Sequence, residues 1–156
     1  MNRARTSKQA RGVVLLVVLL FVFLTTLAAS GMVKSYQTAS QREKEAQLLF
    51  AGDQYRRAIA SYYSTVPAGQ PRSLPLQLED LVNDHRFPTP RHHLRRLYPD
   101  PITNRVDWGL VMEAGGIAGV YSKGQSKPLK QAGFPRRYAH FEHQPAYSSW
   151  VFRVDR

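Results

Sequence analysis

The chain opens polar and basic and then loses all polarity. Val13 to Val33 reads VVLLVVLLFVFLTTLAASGMV and contains no charged residue. About 20 apolar residues in a helix cross a hydrocarbon core of roughly 30 Å, so this run is predicted to be a membrane-inserted helix. Beyond Lys34 the pattern becomes periodic. Leu48, Tyr55, Ile59, Tyr62, Tyr63 and Val66 recur at steps of three, four and seven, and Ala51 and Gly52 fill the same stripe. That spacing predicts an amphipathic helix, with Arg42, Glu43, Lys44, Glu45, Arg56 and Arg57 on its polar faces. The first proline after the apolar run is Pro67, and Ala68 to Pro71 is a breaker cluster. One near-continuous helix from Val13 to Val66 would be roughly 80 Å long, and Gly31 at the junction is a place for a bend.

Past the breaker, Leu76 to Asp84 predicts a short helix capped by Ser73, with Leu78, Leu81 and Val82 as its apolar face. His85 to Thr103 is rich in Pro and Arg and reads as irregular, with one helical turn at His92 to Tyr98. The period then falls to two. Asp107 to Glu113 sets Trp108, Leu110 and Met112 against Gly109 and Val111. Gly115-Gly116 signals a hairpin, and Ile117 to Ser122 is the return strand. Tyr147 to Val154 is the third strand, with Trp150, Phe152 and Val154 on one face. The expected fold is α+β: a long N-terminal helix packed on a small three-stranded antiparallel sheet. Its expected core is Leu48, Tyr55, Ile59 and Tyr62 against Trp108, Leu110, Trp150 and Phe152.

Length and charge sharpen this picture. At 156 residues the chain is one domain's worth, and 43% hydrophobic with 21% charged residues excludes a disordered tail or a polytopic membrane protein. The formal net charge is +11, and Arg3, Arg5, Lys8 and Arg11 stand ahead of the apolar run with no acid among them. Cations stay on the cytoplasmic side, so the residues after the run are expected across the membrane. The expected organisation is a basic leader over 1–12, a transmembrane half-helix over 13–33, an amphipathic half-helix over 34–66 and an exported α+β remainder over 67–156. The absence of Cys excludes disulfides, thiol catalysis and Cys-ligated metals.

Candidate chemistry is sparse. His92 and His93 are adjacent, and His140 and His143 flank Glu142 in a loop without a second acid, so no local set of three metal ligands forms. Arg86, Arg91, Arg95, Arg96 and Arg105 interleave with Phe87, Tyr98 and three histidines. That is a composition suited to nucleic acid, but Glu79, Asp80, Asp84 and Asp100 lie close by and nucleic acid is not the expected partner. No nucleophile-elbow, phosphate-loop or metal-ligand spacing is present, so no enzyme and no cofactor are expected.

Two N-terminal readings compete. A secretory signal would be cut after the small residues Ala28-Ala29-Ser30. Alternatively the cut falls between Gly12 and Val13, ahead of the apolar run. A basic leader, a glycine and an unbroken apolar run continuing into a long amphipathic helix resemble the type IV pilin-like prepilins, and specifically the pseudopilins of type II secretion systems. Leu97-Tyr98-Pro99-Asp100-Pro101 followed by Trp108-Gly109-Leu110 is similar to that family's entry into its first strand. Tyr147-Ser148-Ser149-Trp150 is similar to its final strand. The resemblance implies cleavage by prepilin peptidase, methylation of the new N-terminus and residence in the bacterial inner membrane. The N-terminus would be cytoplasmic and the C-terminal domain periplasmic. The partners it implies are other pseudopilins or pilins, the inner-membrane secretion platform and membrane lipid.

Three features depart from the family pattern. Its first mature residue is usually Phe and here is Val13. Its fifth is usually a Glu, whose carboxylate pairs with the N-terminal amine of a neighbouring subunit, and here is Val17. The loop before the last strand, where major pseudopilins resemble calcium binders, contains only Glu142 as an acid among several cations. The resemblance with these departures implies a minor, filament-end subunit with a structural or assembly role. Its alternatives are a minor pilin of a DNA-uptake or adhesive pilus and a signal-anchored periplasmic binding protein.

Overall fold

Helix α1 runs Thr6–Ser64, 59 residues. In the computed structural model, the backbone of residues 6–155 and the side chains of residues 12–25 and 36–155 are described. Most of the expected leader and residues 26–33 of the expected span therefore lie outside the described side chains. Residue contacts divide the chain into two units, Met1–Ser40 and Gln41–Arg156. The helix stops two residues short of Val66, because Pro67 has no N–H to donate and disfavours helical backbone at the residue before it; its last carbonyls find a cation from another segment. The Arg86 guanidinium donates to the Tyr62 carbonyl at 2.8 Å and the Thr65 carbonyl at 3.0 Å. The last turn of α1 has no basic residue of its own, so Arg86 both satisfies terminal carbonyls and offsets the helix dipole.

The second unit is α+β. Strands β1 (Gly109–Glu113), β2 (Gly116–Tyr121) and β3 (Val151–Arg153) form an antiparallel sheet in that order. The β1–β2 turn is Ala114-Gly115, with φ of 48° and 79°. Two consecutive positive φ values make the two-residue turn whose twist suits a hairpin. Gly116 is therefore the first residue of β2, where an added Cβ would press on Leu74. The register slips between Val111 and Met112, leaving Ala118 as the extra residue of a bulge in β2.

The core joins α1 to this sheet. Leu48, Ala51, Tyr55, Ala58, Ile59 and Tyr62 are buried with Trp108, Ile117, Val120, Trp150 and Phe152. Gly52 is needed at the crossing, because a side chain there would run into the Phe152 ring. Phe141 stacks on Trp150 at 5.4 Å and meets Phe152 edge-on, extending the core beneath β3.

Several expected elements differ. Leu110 is not a core residue: it is 42% exposed and Met112 is 57% exposed. Trp108 lies ahead of the strand and turns inward on its own, with its indole N–H donating to the Tyr98 carbonyl at 2.8 Å. The strand begins at Gly109, which packs beneath the Tyr121 ring, so the alternation puts Leu110 and Met112 outside. The expected helix over 76–84 is a 3-10 turn, Leu78–Leu81. The Asp80 carboxylate rather than Ser73 takes the free Leu76 and Gln77 amides there. No helical turn forms over 92–98; the His93 and Leu94 amides donate to the Leu81 carbonyl instead. The third strand is shorter than expected, because Tyr147–Ser149 is a 3-10 turn.

Candidate assembly interface

The first unit presents an exposed apolar surface. From Val13 to Leu24 every residue is large and hydrophobic, and each is more than half exposed, with Val13 at 60% and Val17 at 59%. Such residues on every side of a helix call for an apolar surrounding. Gly12, ahead of one of the two expected cuts, is also exposed, with open space where a Cβ would stand. Among the described residues, no helix is long and apolar enough to cross a membrane; the described part of the expected span ends at Thr25.

In the second unit, buried acids of α1 and the loops hold the irregular segments. Glu45 is 4% exposed. Its carboxylate accepts from the Leu129 amide at 2.5 Å, the Lys130 amide at 3.2 Å and the Tyr147 hydroxyl at 2.8 Å. Gln41, one turn earlier, donates to the same hydroxyl and to the Lys127 carbonyl. Together they fasten the cationic loop ahead of β3 to the helix. Glu45 is therefore not on a polar face as expected: Gln41 and Glu45 precede Leu48 by seven and three residues and continue the apolar stripe. Asp53 plays a similar part farther along, accepting from Arg56, Arg57 and the Tyr138 hydroxyl. Burial pushes its carboxyl up, but the Tyr138 and Arg56 hydrogen bonds outweigh that and lower it.

Asp84 is the most constrained acid. Arg86 grips both of its oxygens, at 2.9 and 2.7 Å, while lying over the Tyr62 ring at 3.5 Å. Burial raises the Asp84 carboxyl, but hydrogen bonds from the Arg86 side chain and backbone and from His93 hold it at about 2. His93 continues the series, with Nε2 3.2 Å from Asp84 and Nδ1 2.8 Å from Ser61 Oγ. Ser, His and Asp thus stand in the order of a hydrolase triad. The chemistry differs, because Arg86 already neutralises the carboxylate that would stabilise an imidazolium. The series instead ties residues 84–93 to the last turn of α1. Asp100 does comparable work ahead of β1, accepting from the Ile102 amide and from the Thr103 and Ser122 hydroxyls.

The histidines are dispersed. His92 Nδ1 meets the Val82 carbonyl, while His93 turns inward. Among the described residues, no group of three or more His, Asp or Glu could hold a metal ion. Arg86 is not part of a surface patch, being spent on Asp84 and α1. Arg91 and Arg96 lie over Phe87 and Tyr98, at 4.5 and 5.3 Å, and Arg95 and Arg105 are exposed. No protein-family model, characterised protein or solved structure matched the chain.

Proposed function

We propose that the chain is a minor pseudopilin-like subunit of a type II secretion or related pilus-type apparatus, with a structural rather than a catalytic role. The observation that supports this reading most is the continuity of α1. One helix carries an apolar run exposed on all sides and, farther on, the stripe that nucleates the α+β core. A cleavable signal needs no such continuation, whereas a subunit held by its N-terminal helix among apolar neighbours does. On this reading prepilin peptidase cuts between Gly12 and Val13 on the cytoplasmic side of the inner membrane, and the α+β part lies in the periplasm. Val17 removes the carboxylate that would neutralise a neighbour's amine, and an unpaired amine in hydrocarbon costs several kcal/mol. The subunit therefore suits a filament end better than its repeat.

The deciding experiment is the mature N-terminus, read by mass spectrometry after co-expression with a prepilin peptidase. The expected product begins at Val13 and stays with the membrane. A product beginning near Ser30 or Gly31 and released from the membrane would overturn the reading.

A further inference from the structure

We infer that the outer edge of β3 is a binding site for an extended acidic segment of a partner protein, which adds as a short strand and places a carboxylate in an arginine-lined cavity. This does not depend on the reading above. The cavity is about 300 Å³ and straddles the strand edge. Arg56 lines it from α1, Val151 and Arg153 from β3 itself, and Arg137, Tyr138 and His140 from the 3-10 segment Arg136–Phe141. Asp155 is its one acid.

Two independent features converge on this edge. The first is charge. Asp53 is divided between Arg56 and Arg57, so the guanidiniums outnumber it there. Arg153 is matched by Glu113 at 2.5 Å. Arg137 is exposed and has no carboxylate partner among the described residues. A carboxylate entering the cavity meets fixed and free guanidinium donors of the kind that bind it in bidentate fashion.

The second feature is the open backbone. Phe152 pairs with Val120, and the Val154 amide donates to the Ala118 carbonyl, so both residues turn their backbone groups toward β2. Alternation turns those of Val151 and Arg153 the other way. His140 Nε2 donates to the Val151 carbonyl at 3.2 Å and covers that part of the edge. The Arg153 N–H and C=O have no partner among the described residues. They form one donor and one acceptor beside the cavity, which is what an added strand engages. Backbone pairing would set the register, and the arginines would select for acid.

The test measures fluorescence polarisation of a labelled acetyl-Val-Thr-Glu-Val-Glu-Thr-Val-amide peptide with the full chain in mild detergent. We expect saturable binding, weakened about tenfold or more when both Glu are replaced by Gln and by a similar factor in Arg137→Glu. N-methylation of the peptide bond facing Arg153, scanned along the peptide, should abolish binding at one register. Arg137 is exposed and outside the core, so its variant should keep the wild-type melting temperature and report on the site alone. No binding up to about 1 mM peptide would overturn the proposal. So would equal affinity for the Gln peptide or insensitivity to every N-methyl position. Complete displacement by equimolar inorganic phosphate or a single-stranded oligonucleotide would show a general anion site and overturn it likewise.

Discussion

At the scale of single residues, stability rests on a few buried charges that tie their own segment to distant ones. Arg86 holds Asp84, covers Tyr62 and closes α1 at once. Removing one partner of a buried pair leaves an uncompensated charge, so Arg86→Ala should cost about 3–5 kcal/mol. Asp84→Asn in the Arg86→Ala background should recover part of that, as read from chemical denaturation of the four proteins of the cycle. The pH dependence follows from the same groups. The Asp84 carboxyl sits at about 2 when folded, against 3.8 without its partners. Its contribution is therefore complete above pH 3.8 and is lost as pH falls toward 2. On the alkaline side, burial pushes the Tyr55, Tyr138 and Tyr147 phenols up to about 12. Their contribution is complete below pH 10 and lost as pH rises toward 12. Melting temperature should form a plateau with these two shoulders, and Asp84→Asn should flatten the acid one. An unchanged acid shoulder in that variant would show that other carboxyls dominate.

At the scale of elements, the crossing of α1 over β3 depends on Gly52. Alanine inside a helix is ordinarily more stable than glycine by about 0.5–1 kcal/mol. Here an added methyl would meet the flat ring of Phe152, which is itself fully buried. Gly52→Ala should therefore destabilise, by about 1–3 kcal/mol, the typical cost of overpacking. Phe152→Leu in the same chain should relieve part of the strain, and thermal melts of both variants measure it. The loop ahead of β3 depends on Glu45. Glu45→Ala strands the Leu129 and Lys130 amides, each at about 1–3 kcal/mol if they stay buried. The expected signature is faster tryptic cleavage after Lys130 with the sheet still protected.

How far these elements could be read beforehand tracks how local their causes are. The helix and its stripe were legible, because period and breaker lie in one continuous stretch; so were Trp150 and Phe152, whose alternation is unbroken. The β1 face was not, because Trp108 is turned inward by a hydrogen bond to Tyr98 just outside the strand. The Asp84–Arg86–His93–Ser61 series was equally hidden. Its members lie on a helix end and two irregular loops, and only the fold brings them together.

At the scale of the whole molecule, the proposed role makes a quantitative claim. A subunit with Val17 should be present in few copies among many copies of a Glu-bearing partner. Quantitative mass spectrometry of sheared or cross-linked assemblies measures that ratio, and long homopolymers of this chain alone would end the filament-end proposal. Val17→Glu should still be processed but should change where the subunit incorporates. The buried Glu45–Tyr147 bond carries a different consequence, for biosynthesis. Its two residues are 102 positions apart, and Gly52 and Phe152 are nearly as distant. Such contacts cannot form until both partners have been synthesised, and closing so long a loop is slow. The part of the α1 stripe that packs on Trp150 and Phe152 must therefore wait, uncovered, until they have been synthesised. During that interval a nascent chain displays both its apolar run and its future core side by side, which is when holding chaperones would have the most to protect.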